Sequence, residues 1–219
     1  MRTLRDKDLD SLLEGSEVIE QDGYGVKVAR LKDGDFLKLY RRKRLLSSAL
    51  WALPAKLFAR NAQRLQTLGF VAPAITDLLV IPARQLNAVR YRPLPGKTLR
   101  QHWKTLAAVD RQQEVQRFGS FLGELHQKGI YFRSLHLGNV LILPDDRLGL
   151  IDLSDMQIGR QALSHWKRAR NLQHMLRYAE DRSWLAEQHR AALLAGYRQR
   201  CGDIFADRLE RALQAIKIP

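Results

Sequence analysis

The hydrophobic positions change period along the chain. Between Arg5 and Glu14, Leu9, Leu12 and Leu13 recur at helical spacing and Gly15 follows, which predicts a short amphipathic helix with a glycine stop. From Val18 to Tyr40 the pattern alternates instead. Val26, Val28 and Arg30 share one face of a strand, Lys32-Asp33-Gly34-Asp35 is a hairpin turn, and Phe36 to Tyr40 forms the returning strand, so three antiparallel strands are expected. Helical periodicity returns at Leu57, Phe58, Asn61, Leu65 and Leu68 and stops at Gly69. Two apolar strands follow, at residues 75–81 and 86–91.

Pro93-Leu94-Pro95-Gly96 is the clearest punctuation in the chain. It predicts a lobe boundary, with residues 1–92 strand-rich around one long helix and residues 93–219 helical. Beyond it, Val115, Phe118, Leu122 and Leu125 mark one face of a helix over residues 110–128, closed by Gly129. Short strands at 140–143 and 148–151 bracket the turn Pro144-Asp145-Asp146. After Asp155 the pattern is almost wholly helical, including residues 184–197 and 203–216, and Trp166, Trp184 and Tyr197 read as helix-packing anchors. Five antiparallel strands with one helix, then helices around a hairpin, make an α+β, bilobal arrangement.

Composition narrows the setting. With 219 residues and 45% hydrophobic side chains the chain can bury a real core. Its 37 Lys and Arg against 23 Asp and Glu leave a net charge of +14, which favours polyanions such as nucleic acid, anionic lipid or phosphorylated glycan. The single cysteine, Cys201, excludes an internal disulfide and a thiolate metal cluster, fits a reducing compartment and reads as an inert packing residue. No apolar signal core stands at residues 1–15, and no stretch has the length of a membrane span, so a cytoplasmic protein, at most peripheral to a membrane, is expected. The basic run Arg41-Arg42-Lys43-Arg44, with Trp51 and Phe58 nearby, reads either as a solvated charged face or as a contact for anionic headgroups or a phosphorylated glycan. Residues 45–58 are only loosely amphipathic and are broken by Pro54.

Chemistry concentrates between Leu125 and Asp155, where a long helix is followed by a tight polar loop, a hairpin and a second acidic position. Phosphoryl transfer needs nucleotide phosphates and Mg²⁺ held by a few fixed groups. An amide before one strand and a carboxylate after the next supply two oxygen ligands, and Asn139 and Asp152 have that relation.

The loop Tyr131-Phe132-Arg133-Ser134-Leu135-His136-Leu137-Gly138-Asn139 resembles the kinase catalytic loop, and Asp152-Leu153-Ser154 resembles the metal-binding Asp-Phe-Gly site. The form Leu135 to Asn139 is closer to small-molecule and sugar kinases than to protein kinases. Trp166-Lys167-Arg168-Ala169-Arg170-Asn171-Leu172 resembles the Arg-Asn-Leu helix of the bacterial lipopolysaccharide core kinases, which act on Kdo or heptose. The resemblance runs from Val18 to Leu176 and implies a protein-kinase-like fold with a small antiparallel-sheet lobe and a helical lobe. It implies ATP and Mg²⁺ as cofactors, Asn139 and Asp152 as metal ligands, and Lys38, in Phe36-Leu37-Lys38-Leu39-Tyr40, as the ligand of the α and β phosphates. Gly23-Tyr24-Gly25 falls where the phosphate-covering loop belongs, its glycines allowing close backbone approach.

Two positions depart from the family pattern. Ser134 stands where the Asp that accepts the substrate proton is expected. His136 then reads as a surrogate base, a phosphate contact or a loop-stabilising hydrogen bond. Asn61 stands where the helix carboxylate that pairs with the lysine is expected, which leaves Glu20, Asp22 or no residue to orient Lys38. Asp155 reads as a solvated loop carboxylate or as an extra acid of the site.

Three functions follow from this reading. The first is a kinase that phosphorylates a sugar of the lipopolysaccharide core, an anionic glycolipid, at the cytoplasmic face of the inner membrane. The second is a pseudokinase that keeps the fold and binds nucleotide or a partner without turnover. The third is a basic nucleic-acid-binding protein, against which stand the lack of zinc spacing, of an aromatic-rich sheet motif and of a single basic helix.

Overall fold

The computed structural model describes residues 1–41 and 53–215, so most of the basic run after Arg41, and Trp51, lie outside the described residues. The chain divides into two compact units, Met1–Pro95 with Asp152–Asp155, and Gly96–Ile151 with Met156–Pro219. Both strands and helices are present throughout, an α+β fold consistent with a kinase-like one.

The first unit is built on a six-stranded sheet. Its elements are β1 (Arg2–Thr3), α1 (Asp6–Leu13), β2 (Glu17–Asp22), β3 (Gly25–Arg30), β4 (Phe36–Arg41), α2 (Pro54–Thr67), β5 (Ala74–Ile81) and β6 (Leu86–Arg92), and the strand order is β1-β5-β6-β4-β3-β2. The sequence predicts five antiparallel strands; the sixth, β1, runs parallel to β5 and is too short to carry a hydrophobic period. Leu9 of α1 packs with Leu37, Leu39, Leu79, Ile81 and Ala88, so the first helix covers one side of the sheet. Pro54, which breaks the pattern in the sequence, starts α2 at a position where its missing N–H is no loss. Phe58, Asn61, Ala62 and Leu65 form the buried stripe of that helix, and Phe58 stacks on Tyr91 with ring centroids 5.1 Å apart.

The second unit contains β7 (Lys97–Thr98), α3 (Leu99–Lys104), α4 (Ala108–Gln127), β8 (Ile130–Phe132), β9 (Val140–Ile142), β10 (Leu148–Leu150), β11 (Met156–Ile158), α5 (His165–Met175), α6 (Ala179–Arg182), α7 (Arg190–Cys201) and α8 (Asp203–Ala215). Thr98 and Gln101 close a reciprocal capping box at the start of α3. Helices α4 and α7 approach closely at glycines: a Cβ on Gly196 would sit 1.8 Å from the Gln116 carbonyl oxygen. Two expectations are corrected here. The stretch after Asp155 is not wholly helical, because β11 pairs antiparallel with β8, and strands of three residues are too short to show a period. Residues 184–197 are not one helix either; a π-helical turn at Ser183–Gln188 ends at His189, whose φ of −123° breaks the helical path before α7.

A buried polar network joins α4, α5 and α7. Arg168 Nη1 donates to Tyr197 Oη at 2.6 Å and Tyr197 Oη lies 2.9 Å from His126 Nδ1, so the phenol accepts from arginine and donates to the imidazole. Burial first, and the Arg168 charge second, push His126 down to about 3. An unfolded histidine titrates near 6.5, so stability from keeping His126 neutral is full above that pH. It is lost as pH falls toward 3, at up to about 1.4 kcal/mol per unit. Urea unfolding at pH 7, 5.5 and 4.5 should show this decline, with a flatter slope in His126→Gln. Cys201 Sγ lies in the same network, buried and 3.2 Å from Arg168 Nη1, as expected of a packing thiol.

Candidate active site

Strand alternation places the lysine. With Leu37 and Leu39 buried on the α1 side, the two-residue period turns Phe36, Lys38 and Tyr40 to the other side of β4. There Tyr91 stands opposite Phe36 and meets Phe58 of α2. The segment Asp152–Asp155 is held against α2 by Asn61, which is buried and donates from Nδ2 to the Leu153 carbonyl at 2.7 Å. One residue earlier, Asp152 Oδ1 accepts from Lys38 Nζ at 2.6 Å.

Lys38 is therefore oriented by neither of the carboxylates read from the sequence. Glu20 pairs with Lys27, and Asp22 accepts from the backbone N–H of Tyr24. Asn61 serves as the anchor of the segment that carries Asp152. Asp155 is half-buried, not a solvated loop carboxylate. Asp152 has a φ of 57°, in the left-handed region, as do only Gln85 and Asp146 among the described non-glycine residues. Such conformations cost energy, persist where the surroundings fix them and cluster at functional sites. Burial foremost, and then the negative charge of Asp152, push the phenols of Tyr40 and Tyr91 up, so the carboxylate sits among neutral phenols.

The glycine pair divides. Gly25 has a φ of 114°, which only glycine adopts readily, whereas Gly23 has a negative φ and open space around it. Arg41 ties the turn to β4 by donating to the Tyr24 carbonyl and lying 5.6 Å from its ring.

In the second unit Ser134, His136 and Asn139 occupy one braced loop. Asn139 is buried and gives its amide N–H to the Ser134 carbonyl at 2.9 Å, which leaves Oδ1 as its side-chain atom for a cation. Its own carbonyl accepts from Ile151 N–H at 3.1 Å, next to Asp152 in the chain. Asn171 of α5 holds both the N–H and the carbonyl of Phe132, at 3.4 and 2.6 Å. Asp181 of α6, fully buried, accepts from Leu137 N–H at 2.8 Å and from Arg100 Nε and Nη2 at 2.7 and 2.9 Å. His136 Nδ1 accepts from Gly138 N–H at 3.1 Å and lies 3.4 Å from Arg100 Nη2, so the proton belongs on Nε2. Its ring packs edge-on against Tyr178, 4.6 Å between centroids. Ser134 is half-buried.

Sequence reasoning missed Arg100 and Asp181, since an isolated arginine and an aspartate 81 residues on carry no spacing signal. Asn171 stands inside a motif the sequence does display, without a role attached. No group of three or more His, Cys, Asp or Glu side chains that could hold a metal occurs among the described residues.

Residues 97–197 match the model of the lipopolysaccharide kinase (Kdo/WaaP) family. The resemblance to the lipopolysaccharide core kinases is thereby shown. The matched segment holds the loop from Tyr131 to Asn139, Asp152 and the bracing residues Arg100, Asn171 and Asp181, while Gly23, Gly25 and Lys38 lie outside it. The family suggests lipopolysaccharide kinase activity, and a kinase family implies use of ATP and usually Mg²⁺. Among curated proteins, none matches the chain.

Proposed function

We propose that the chain is an ATP- and Mg²⁺-dependent phosphotransferase acting on a hydroxyl of a lipopolysaccharide core sugar at the cytoplasmic face of the inner membrane. The observation that carries this reading is the Lys38–Asp152 pair, an amine and a carboxylate 2.6 Å apart on a strained backbone. In this reading Lys38 binds the α and β phosphates, the oxygens of Asp152 and Asn139 are metal ligands, and the backbone at Gly23 and Gly25 covers the phosphates. Bound Mg²⁺ and ATP supply the phosphoryl group and the charge that offsets its oxygens. The net charge of +14 supports an anionic glycolipid substrate. No helix among the described residues is long and apolar enough to cross a membrane.

Ser134 occupies the base position in this reading. A neutral serine is a poor base at pH 7, and loss of a positioned base typically costs about 10²- to 10⁴-fold in rate. A loose phosphoryl-transfer transition state demands little early proton removal, so the cations and the metal still supply acceleration. His136 positions the loop by accepting from the Gly138 N–H at Nδ1.

Ser134 also favours a second reading, a pseudokinase that binds nucleotide without turnover. A thermal-shift titration with ATP and Mg²⁺ tests both. Ligand at 100 times its dissociation constant should stabilise the protein by about 2.7 kcal/mol, and a flat titration would contradict both readings. Turnover then separates them: transfer in the wild type that rises by roughly 10²-fold in Ser134→Asp supports the kinase, and binding without transfer supports the pseudokinase.

A further inference from the structure

A cavity of about 280 Å³ in the second unit is lined by His165, Trp166 and Arg168 of α5 and by Phe205, Arg208 and Arg211 of α8, with Ala169 and Leu209. The lining holds three arginines and a histidine and no carboxylate. None of these residues belongs to the loop from Tyr131 to Asn139. Of the acidic side chains of α8, Asp203 and Asp207 both pair with Arg198, and Glu210 is not among the lining residues.

Three features mark this positive charge as uncompensated. Helix α5 opens on His165-Trp166-Lys167-Arg168 with no acidic residue in its first turn, so cations crowd the end where the helix dipole favours an anion. Arg168 is 2% exposed, yet its hydrogen bonds go to the Leu163 carbonyl, Tyr197 Oη and Cys201 Sγ, none of them a carboxylate. Its Nη2 has no partner among the described residues, an arrangement that is costly for a buried cation. His165 is held below its ordinary value by burial and then by the charges of Arg208 and Arg168.

Two of the remaining lining residues, Trp166 and Phe205, are aromatic. Trp166 is 69% exposed, which corrects its reading as a packing anchor. Phe205 stacks on His165 at 4.7 Å and lies 4.1 Å from the Arg168 guanidinium. An exposed tryptophan beside arginines offers an apolar platform for the C–H face of a sugar ring and donors for a charged substituent.

We propose that this cavity binds one anionic sugar unit, carrying a carboxylate or a phosphate, with Arg208 and Arg211 on the charged group and Trp166 against the ring. The inference stands on the second unit alone and does not require turnover. It is tested by isothermal titration of the full chain with glucose 6-phosphate, glucuronate, inorganic phosphate and glucose. Saturable binding of the two anionic sugars, no binding of glucose, and at least about tenfold weaker binding in Arg208→Ala/Arg211→Ala are expected. Trp166→Ala should weaken the sugars and leave inorganic phosphate unchanged. Equal affinity for glucose 6-phosphate and inorganic phosphate would overturn the sugar assignment. Unaltered affinity in the double variant, with its circular dichroism intact, would overturn the site. The stabilisation by ATP and Mg²⁺ should survive in the double variant, and its loss there would also contradict a separate site.

Discussion

Replacing Asp181 by alanine is expected to destabilise the protein by about 3 kcal/mol, because it strands a partly buried Arg100 and the Leu137 N–H without their acceptor. Breaking such a pair costs far more than the pair contributes, since the remaining charge keeps its desolvation penalty. Arg100→Ala should cost a comparable amount, as it leaves a fully buried carboxylate with a single backbone donor. Urea unfolding of both single variants and the double variant closes the cycle. The double variant should be less destabilised than the sum of the singles. Because Asp181 holds the middle of the loop, amide exchange at Leu137 should accelerate in Asp181→Ala before global unfolding. A loss under about 1 kcal/mol would show that the brace is not what fixes the loop.

Lys38→Ala and Asp152→Asn are each expected to remove the stabilisation by ATP and Mg²⁺. Asparagine is the informative replacement at position 152, because it tolerates the left-handed backbone that alanine would strain, while removing the charge that a metal needs. The two variants should differ without ligand. Lys38→Ala removes a largely buried amine and leaves a carboxylate that is about two-fifths exposed and can be solvated, whereas Asp152→Asn leaves the buried amine with a neutral partner. Asp152→Asn should therefore be the less stable of the two, and differential scanning calorimetry at several nucleotide concentrations reads both effects. Retained stabilisation in both variants would place the nucleotide elsewhere.

Much of the architecture was legible because it rests on long periods and strong punctuation. Alternation from Val18 to Tyr40, the spacing of Leu57 to Leu68 and the glycines that end helices correspond to β2, β3, β4 and α2. What escaped is short or non-local. Strands β1, β8 and β11 have two or three residues, below the length at which a period of two can be seen. The order Lys38, Asn61, Asp152 was legible, but its physics was not. Nothing in sequence distinguishes an asparagine that replaces an ion-pair partner from one that donates to a carbonyl 92 residues away. For the same reason Asp181 was silent, its meaning lying in Arg100 and in a backbone N–H of a distant loop. Trp166 misled because helical spacing predicts burial, and its exposure is decided by what α5 packs against.

The claim at the centre of this account is that the loop ending at Asn139 serves phosphoryl transfer to a lipopolysaccharide sugar. Incubation of the full chain with γ-labelled ATP, Mg²⁺ and lipopolysaccharide core tests it most directly, with Asp152→Asn as the blank. The account predicts label in the core glycan, dependent on Mg²⁺, absent with Asp152→Asn and increased with Ser134→Asp. Nucleotide binding with no label in the glycan from either the wild type or Ser134→Asp would contradict it.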